Sequence, residues 1–262
     1  MIKLNGHSVN IIMFPDKTSQ VWKLSEELLQ SARDNDDYVV LWNFQHEGEI
    51  FHIIQLLNLL GEIIGHKSII LDCPYLPYAR QDKEVNNSSC FALASFCSLF
   101  SCLAELRTYD AHNPKFFDDK SVAPFDFVNY LPYKEINQII SDEKINLILY
   151  PDKGASLRYP QLSENNLHCS AEKVRNQLTG EITGITIPPI PIGSSILVVD
   201  DLCDGGRTFV ELAKVINNNY ANKMILYVSH GIFSKGIDIL YSAGYSKIYT
   251  KDGLVNRLAY LD

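Results

Sequence analysis

The sequence has no block of lysine and arginine. Its 31 acidic side chains outnumber the 23 basic ones, for a formal net charge of −8. A surface of that sign repels polyanions, so nucleic acid is not an expected partner. No C-x-x-C pair occurs among the six cysteines, and most of them sit among apolar neighbours. That predicts reduced core thiols in a cytosolic protein rather than a disulfide framework or a zinc site. Long unbroken apolar runs are missing too. The longest, Phe91 to Leu106, is interrupted by Ser95, Ser98 and Ser101 and reads as a buried helix, so no membrane partner is expected. Residues Met1 to Phe14 lack the charged-then-apolar layout of a secretory leader, which adds to the expectation of a cytoplasmic location. No low-complexity segment or obvious linker divides the chain.

What is present is ordinary globular composition: 262 residues, 46% hydrophobic and 21% charged. This suits one large domain or two of usual size with a proper core. Buried-type strands are predicted at Tyr38–Trp42, Ser68–Leu71, Ile145–Tyr150, Ser195–Asp200 and Lys223–Val228. Helical spacing is predicted at Ile50–Ile64, Ser89–Phe100, Tyr133–Ser141, Arg207–Ile216 and Gly236–Ser242. Alternating strands and helices make an α/β protein with parallel sheets flanked by helices. The strand-to-acidic-loop pattern occurs twice, at Ser68–Asp72 and Ser195–Asp200. Two similar halves follow, 1–143 and 144–262. In such sheets ligands bind beyond the carboxyl ends of the strands.

The most informative stretch runs from Ile196 to Thr208. Four apolar residues lead into Asp200 and Asp201, then Leu202, Cys203, Asp204, Gly205, Gly206, Arg207 and Thr208. Strand, tight loop and helix start can offer backbone N–H groups to a phosphate. The adjacent carboxylates can hold the two vicinal hydroxyls of a ribose. Together they describe a grip on a ribose phosphate. The plainer alternative is a turn in which Asp201 and Asp204 only cap a helix.

Other loops carry related chemistry. Pro74 to Lys83, stiffened by two prolines, delivers Arg80, Gln81, Asp82 and Lys83 in a row. Arg80 and Lys83 can grip phosphates, as fork and as point charge, or be ordinary surface charges. Tyr109-Asp-Ala-His112 ends another extended run, and His112 can ligate a metal, bind a phosphate or be structural. Tyr150-Pro-Asp-Lys-Gly154 places Asp152 where it can serve Mg²⁺, a hard cation that takes oxygen donors, or simply form a β-turn. Lys173 and Arg175 lie in a weakly periodic stretch, His168 to Thr183. In a mobile segment they can close over a transferring phosphoryl group, or be solvated surface charges.

Taken in order, these loops resemble the ribose-phosphate diphosphokinases, the phosphoribosyl-diphosphate (PRPP) synthetases. Pro77-Tyr-Ala-Arg-Gln-Asp-Lys83 is similar to that family's signature loop, Asp110-Ala-His112 to its metal site, and Pro151-Asp-Lys-Gly154 to its Ser-Pro-Asp-x-Gly loop. Lys173-Val-Arg175 matches the Lys-x-Arg of its catalytic loop. Asp200–Thr208 resembles its ribose-phosphate motif, which is shared with type I phosphoribosyltransferases. Ser229-His-Gly231 and Phe14-Pro-Asp16 are similar to its Thr-His-Gly segment and its adenine-binding hairpin. The resemblance implies two phosphoribosyltransferase-like domains and Mg²⁺-dependent transfer of diphosphate from ATP to the C1 hydroxyl of ribose 5-phosphate. It implies that Arg80, Gln81, Asp82, Lys83 and His112 contact ATP and that His112 and Asp152 help hold Mg²⁺. Lys173 and Arg175 would be catalytic. Asp200 and Asp201 would hold the ribose hydroxyls, and Asp204, Gly205, Gly206, Arg207 and Thr208 would cradle the acceptor phosphate. Phe14 and Asp16 would recognise adenine from a neighbouring subunit, so a homodimer or larger homo-oligomer is implied.

One departure bears on the acceptor. The family's loop reads Asp-Thr-x-Gly-Thr; here it reads Asp204-Gly-Gly-Arg-Thr208. Losing a threonine opens the loop, and Arg207 adds a cation that can meet a second phosphate. Some relatives of these synthetases use ADP-ribose as acceptor, so the resemblance leaves it as an alternative. A phosphoribosyltransferase that consumes PRPP would explain Asp200–Thr208 but not Phe14–Asp16, Pro77–Lys83 or Lys173–Arg175. A non-catalytic associated subunit would not need His112, Asp152, Lys173 and Arg175.

Overall fold

The computed structural model describes residues 1–64, 68–84, 86, 88–175, 182–217 and 223–256, with side chains at all of these except 63, 64, 173–175, 182 and 183. The chain divides into two units, Met1–Leu131 and Pro132–Asp262. The division falls ahead of the helix Tyr133–Asp142, before the 143/144 boundary expected from the sequence. That helix buries Ile136 and Ile139 against residues of the second unit, including Ile148 and Leu197.

In the first unit the elements follow in the order β1 (Ile2–Leu4), β2 (His7–Ser8), β3 (Ile11–Met13), β4 (Ser19–Val21), α1 (Glu26–Asp34), β5 (Asp37–Trp42), α2 (Gly48–Ile64), β6 (Ser68–Asp72), α3 (Ala92–Ser98), β7 (Glu105–Tyr109), a 3₁₀ turn (Pro114–Asp118) and β8 (Asp126–Tyr130). The main sheet has the order β2-β1-β5-β6-β7-β8, and β5 to β8 are parallel. Strands β3 and β4 form a separate antiparallel hairpin. Ser25 caps α1 by accepting from the Leu28 N–H at 3.2 Å, satisfying one orphan donor of the first turn. Helices α1, α2 and α3 send Leu28, Ile53, Leu57, Leu60, Leu93 and Phe96 into one apolar core with Val40 and Trp42 of β5.

The second unit continues with α4 (Tyr133–Asp142), β9 (Leu147–Tyr150), α5 (Lys153–Arg158), α6 (Pro160–Asn165), β10 (His168–Ser170), β11 (Glu172–Arg175), β12 (Ile182–Thr186), β13 (Ser195–Cys203), α7 (Arg207–Asn217), β14 (Lys223–Gly231), α8 (Asp238–Ser242), β15 (Lys247–Thr250) and β16 (Gly253–Leu254). Its sheet order is β10-β9-β13-β14-β15-β16, parallel except for the last pair. The period-2 rule of strands splits its core in two. Ile196 and Val198 face Leu212 and Ile216 of α7, whereas Leu197 and Val199 face Ile136 of α4 and Leu162 of α6. A strand buried on both faces must be apolar at every position, which is why these runs are readable in the sequence.

The predicted strands and helices are all present, with ends moved by a few residues. One shift matters: β13 continues past Asp200 to Cys203, which pairs with Gly231 of β14. Asp201 therefore lies within the strand beside Asp200, not in the loop after it. The β3–β4 hairpin is the one the family resemblance implied at Phe14–Asp16; the β11–β12 hairpin, helix α1 and the pair α5–α6 were not anticipated, because brief elements give little periodicity. All six cysteines are free thiols, of which Cys73, Cys97 and Cys203 are buried and Cys90 and Cys102 exposed. Burial pushes the Cys97 thiol up to about 12. Among the described residues no helix is long and apolar enough to cross a membrane.

One polar cluster ties α4 to the sheet. The buried carboxylate of Glu143, just past the helix, accepts from Lys223 at the start of β14, from Lys247 Nζ of β15 at 2.6 Å and from the Tyr249 hydroxyl at 2.7 Å. Burial alone would raise the carboxyl, but these donors outweigh it and hold Glu143 at about 2. A folded value below the unfolded one stabilises the protein above the ordinary carboxylate range, and that contribution is lost as the pH falls through the folded value. Glu143→Gln should cost about 1–2 kcal/mol at neutral pH, the lower end for a buried pair because both lysine ends stay partly in water. Thermal unfolding at successive pH values should show the gap between variant and wild type closing between about pH 5 and pH 2.

Candidate functional site

In the first unit the predicted residues gather at the carboxyl ends of β6 and β7. The chain leaves β6, turns through Pro77–Arg80 with Tyr78 at φ +62°, and presents Arg80, Gln81 and Lys83 to solvent. The turn is pinned at both ends: the Gln81 N–H donates to the Tyr78 carbonyl at 2.9 Å, and the Leu93 N–H to the Gln81 carbonyl at 3.2 Å. The Tyr78 hydroxyl donates to Glu47 at 2.7 Å. That bond raises the Tyr78 phenol to about 12.

The loop after β7 is brought against this turn. Asn113 Nδ2 donates to Asp82 Oδ2 at 2.8 Å, so Asp82 sits beside the segment carrying the half-buried His112. The backbone supports the same meeting: the Tyr109 N–H donates to the Pro74 carbonyl at 3.2 Å. Asp110 adopts φ +52°, and its N–H donates to Tyr130 of β8. Arg80, Gln81, Asp82, Lys83 and His112 thus share one end of one sheet. Asn113, which joins the two loops, was not read from the sequence; an asparagine before proline signals only a turn.

Phe14 and Asp16 stand at the exposed tip of the β3–β4 hairpin. The Asp16 carboxylate accepts from the Thr18 hydroxyl at 2.7 Å and the Thr18 N–H at 3.0 Å, which lowers its pKa and freezes the turn. The Phe14 ring borders a groove of about 550 Å³ between the hairpin and α2, with Trp22, Phe51 and Gln55.

The second unit holds the residues expected to bind the acceptor. After Cys203 the chain turns through the exposed Asp204 and the two glycines into α7. Gly206 has φ +70°, and a Cβ there would meet Ile239 at 3.0 Å and Leu240 at 3.2 Å. Only glycine fits that position without strain. Gly205 differs: a Cβ there would make ordinary contact with the Lys235 stem at 3.5 Å and lie 3.9 Å from the Ser234 hydroxyl. The turn is bound to the loop after β14, because the N–H groups of Ile232 and Phe233 donate to the Cys203 carbonyl at 2.8 and 3.2 Å. Thr208 is half-buried in the first turn of α7. Arg207 is almost wholly exposed, with Glu211 at 3.9 Å as a loose partner one turn on.

Inside β13 the two carboxylates converge on one cation. Arg158 Nη1 lies 2.7 Å from Asp201 Oδ1 and 3.1 Å from Asp200 Oδ1, and all three side chains are mostly buried. Burial and the neighbouring Asp201 charge push the Asp200 carboxyl up, and Arg158 opposes them. Arg158 was not picked out in the sequence. It ends α5, whose N-cap is Asp152: the Asp152 carboxylate accepts from the Ala155 N–H at 3.0 Å. Asp152 is thus a helix cap where the sequence suggested a β-turn. Lys173 and Arg175 lie on β11, paired with β12 opposite Ile185 and Ile182; their side chains lie outside the described residues. Among the described residues no three His, Cys, Asp or Glu side chains cluster as a self-contained metal site.

No protein-family model matches the chain. It is 28% identical over 254 residues to the ribose-phosphate pyrophosphokinase of Mycoplasmopsis pulmonis, covering 92% of this chain and 75% of that protein. It is 26% identical over 244 residues to the ribose-phosphate pyrophosphokinase of Pyrococcus furiosus, covering 87% and 80%. The crystal structure of phosphoribosylpyrophosphate synthetase from Mycobacterium smegmatis superposes with a TM-score of 0.76 over 93% of this chain and 79% of that one, at 14% identity. That likeness establishes a shared fold. Over most of its length the chain is similar to ribose-phosphate pyrophosphokinases, and it shares the fold of a phosphoribosylpyrophosphate synthetase.

Proposed function

We propose that this protein transfers a diphosphate from Mg-ATP to the C1 hydroxyl of ribose 5-phosphate. The hydroxyl oxygen attacks the β-phosphorus, the bond from that phosphorus to the α–β bridging oxygen breaks, AMP leaves with that oxygen, and the hydroxyl proton passes to solvent. The observation that carries the reading is the β13–α7 segment. It sets two buried carboxylates a few residues ahead of a glycine turn at a helix start, which suits a cis-diol and a phosphate on one small sugar. The homology to ribose-phosphate pyrophosphokinases supports the same chemistry.

In this reading Arg80, Gln81, Asp82, Lys83 and His112 bind ATP, and Phe14 and Asp16 recognise adenine from a neighbouring copy in a homodimer or larger assembly. Lys173 and Arg175 offset charge as the diphosphate moves. Such transfers depend on positioning and neutralisation more than on a nucleophilic side chain. His112 and Asp152 each carry a donor that Mg²⁺ can take, and with no self-contained acidic cluster among the described residues the ion would draw most of its ligands from substrate phosphates and water. Bound there, it would neutralise phosphate charge. The reading places the enzyme in the cytoplasm.

One observation favours ADP-ribose as a second acceptor. The exposed Arg207 puts a cation beside the turn, where it can meet a second phosphate. AMP release measured with each acceptor decides between them: turnover with ribose 5-phosphate is expected, and turnover with ADP-ribose alone would overturn the first choice. Replacing Lys173 and Arg175 together by alanine should lower kcat by on the order of 10³ with little change in ATP binding. A near-normal kcat would remove them from the chemistry. Asp201→Asn should raise the acceptor KM by about tenfold or more while ATP binding holds, the size expected for a charge-assisted hydrogen bond. An unchanged acceptor KM would leave Asp201 no part in holding the sugar.

A further inference from the structure

The side chains of consecutive strand residues point to opposite faces. Asp200 and Asp201 do not keep apart in this way: each brings an oxygen within 3.1 Å of the same Arg158 nitrogen. The register of β13 on β14 is kept through this point. Asp200 pairs with Val228 and pairing resumes at Leu202 with His230, passing over Asp201. The Asp201 N–H turns back to donate to Asp200 Oδ1 at 2.9 Å. Two adjacent carboxylates in a buried setting repel, and no strand geometry requires them to meet.

Arg158 is itself braced. Its helix α5 is started by the Asp152 cap, and the guanidinium carbon stands 5.8 Å from the centre of the Tyr159 ring. Tyr159 is fully buried and stacked on Tyr150 of β9 at 6.4 Å. The cation is thus delivered from a neighbouring strand–helix junction to a fixed place over the end of β13.

We propose that Arg158 is a positioning residue of the acceptor site, whose guanidinium draws Asp200 and Asp201 together into one carboxylate pair aligned for the vicinal hydroxyls of a ribose. The proposal rests on the reading of β13–α7 as the acceptor site. Arg158 spans both carboxylates from a single nitrogen and offsets their negative charge. A lysine in its place keeps the charge as a point ammonium on a more flexible stem.

Calorimetric titration of the full-length protein with ribose 5-phosphate and with ADP-ribose tests this without needing turnover. Arg158→Gln and Arg158→Lys are compared with wild type, with circular dichroism to establish folding and ATP titrated alongside. The expected result is acceptor affinity reduced about tenfold or more in Arg158→Gln, partly restored in Arg158→Lys, with ATP affinity within about twofold of wild type. Unchanged acceptor affinity in a folded Arg158→Gln would overturn the proposal. So would an equal loss of acceptor and ATP affinity, which marks a general structural role. If Arg158→Gln does not fold, Arg158→Lys decides: reduced acceptor affinity supports the proposal, and full affinity overturns it. Wild type that binds an acceptor but releases no AMP from ATP would refute the proposed reaction and leave the Arg158 comparison standing. Wild type that binds neither acceptor would refute both.

Discussion

The second unit is organised around a local conflict of charge. A parallel strand buried on both faces must be apolar, and β13 obeys this from Ile196 to Val199. It then carries two consecutive carboxylates into surroundings that resist them. Placing one buried charge beside another of like sign is tolerable only with a partner of opposite sign and sufficient hydrogen bonds. Arg158 meets that need from outside the strand. The helix α5, its Asp152 cap and the stacked Tyr150 and Tyr159 rings together fix where that cation stands.

The same sheet logic explains where chemistry collects. In each unit the parallel strands run in one direction, so their carboxyl ends and following loops lie along a single edge. In the first unit this edge joins the Arg80–Lys83 turn to the His112 loop through the Asn113–Asp82 hydrogen bond. In the second it joins the Asp204–Gly206 turn to the loop after β14 through the Cys203 carbonyl. The opposite edge is used differently. There Glu143 collects lysines from the starts of β14 and β15, a cluster that serves the fold and touches none of the candidate site residues.

Much of this was legible in the sequence because two strong signals overlapped. Fully buried strands such as Lys223–Gly231 and an amphipathic helix such as Arg207–Asn217 leave long periodic traces. The motif loops follow such strands directly. What escaped notice has a common physical origin. The α5 helix spans only Lys153–Arg158, too short to show a period, and its N-cap residue doubles as turn chemistry. The meeting of Arg158 with Asp200 and Asp201 joins residues 42 and 43 positions apart, a contact made by the packing of α5 on the sheet rather than by local spacing. The end of β13 was misplaced because charged residues normally mark a strand's exit, whereas here a buried arginine lets the strand carry them inward.

That last point bears on how the acceptor loop should be understood. Its unusual letters, Gly205 and Arg207, drew attention to the phosphate side of the sugar. The two glycines do different work: Gly206 is required by its positive φ and by Ile239 and Leu240 packed against it, whereas a Cβ at Gly205 would make only ordinary contact with Lys235 and Ser234. A required glycine shapes the turn whatever the ligand. The carboxylate side obeys a stricter rule. Its geometry is imposed by electrostatics within the unit and does not depend on what continues beyond the phosphate. On the proposed reading the ribose end is the constant part of the acceptor, and the exposed Arg207 is the group of the turn that would tell a terminal phosphate from a longer phosphate chain.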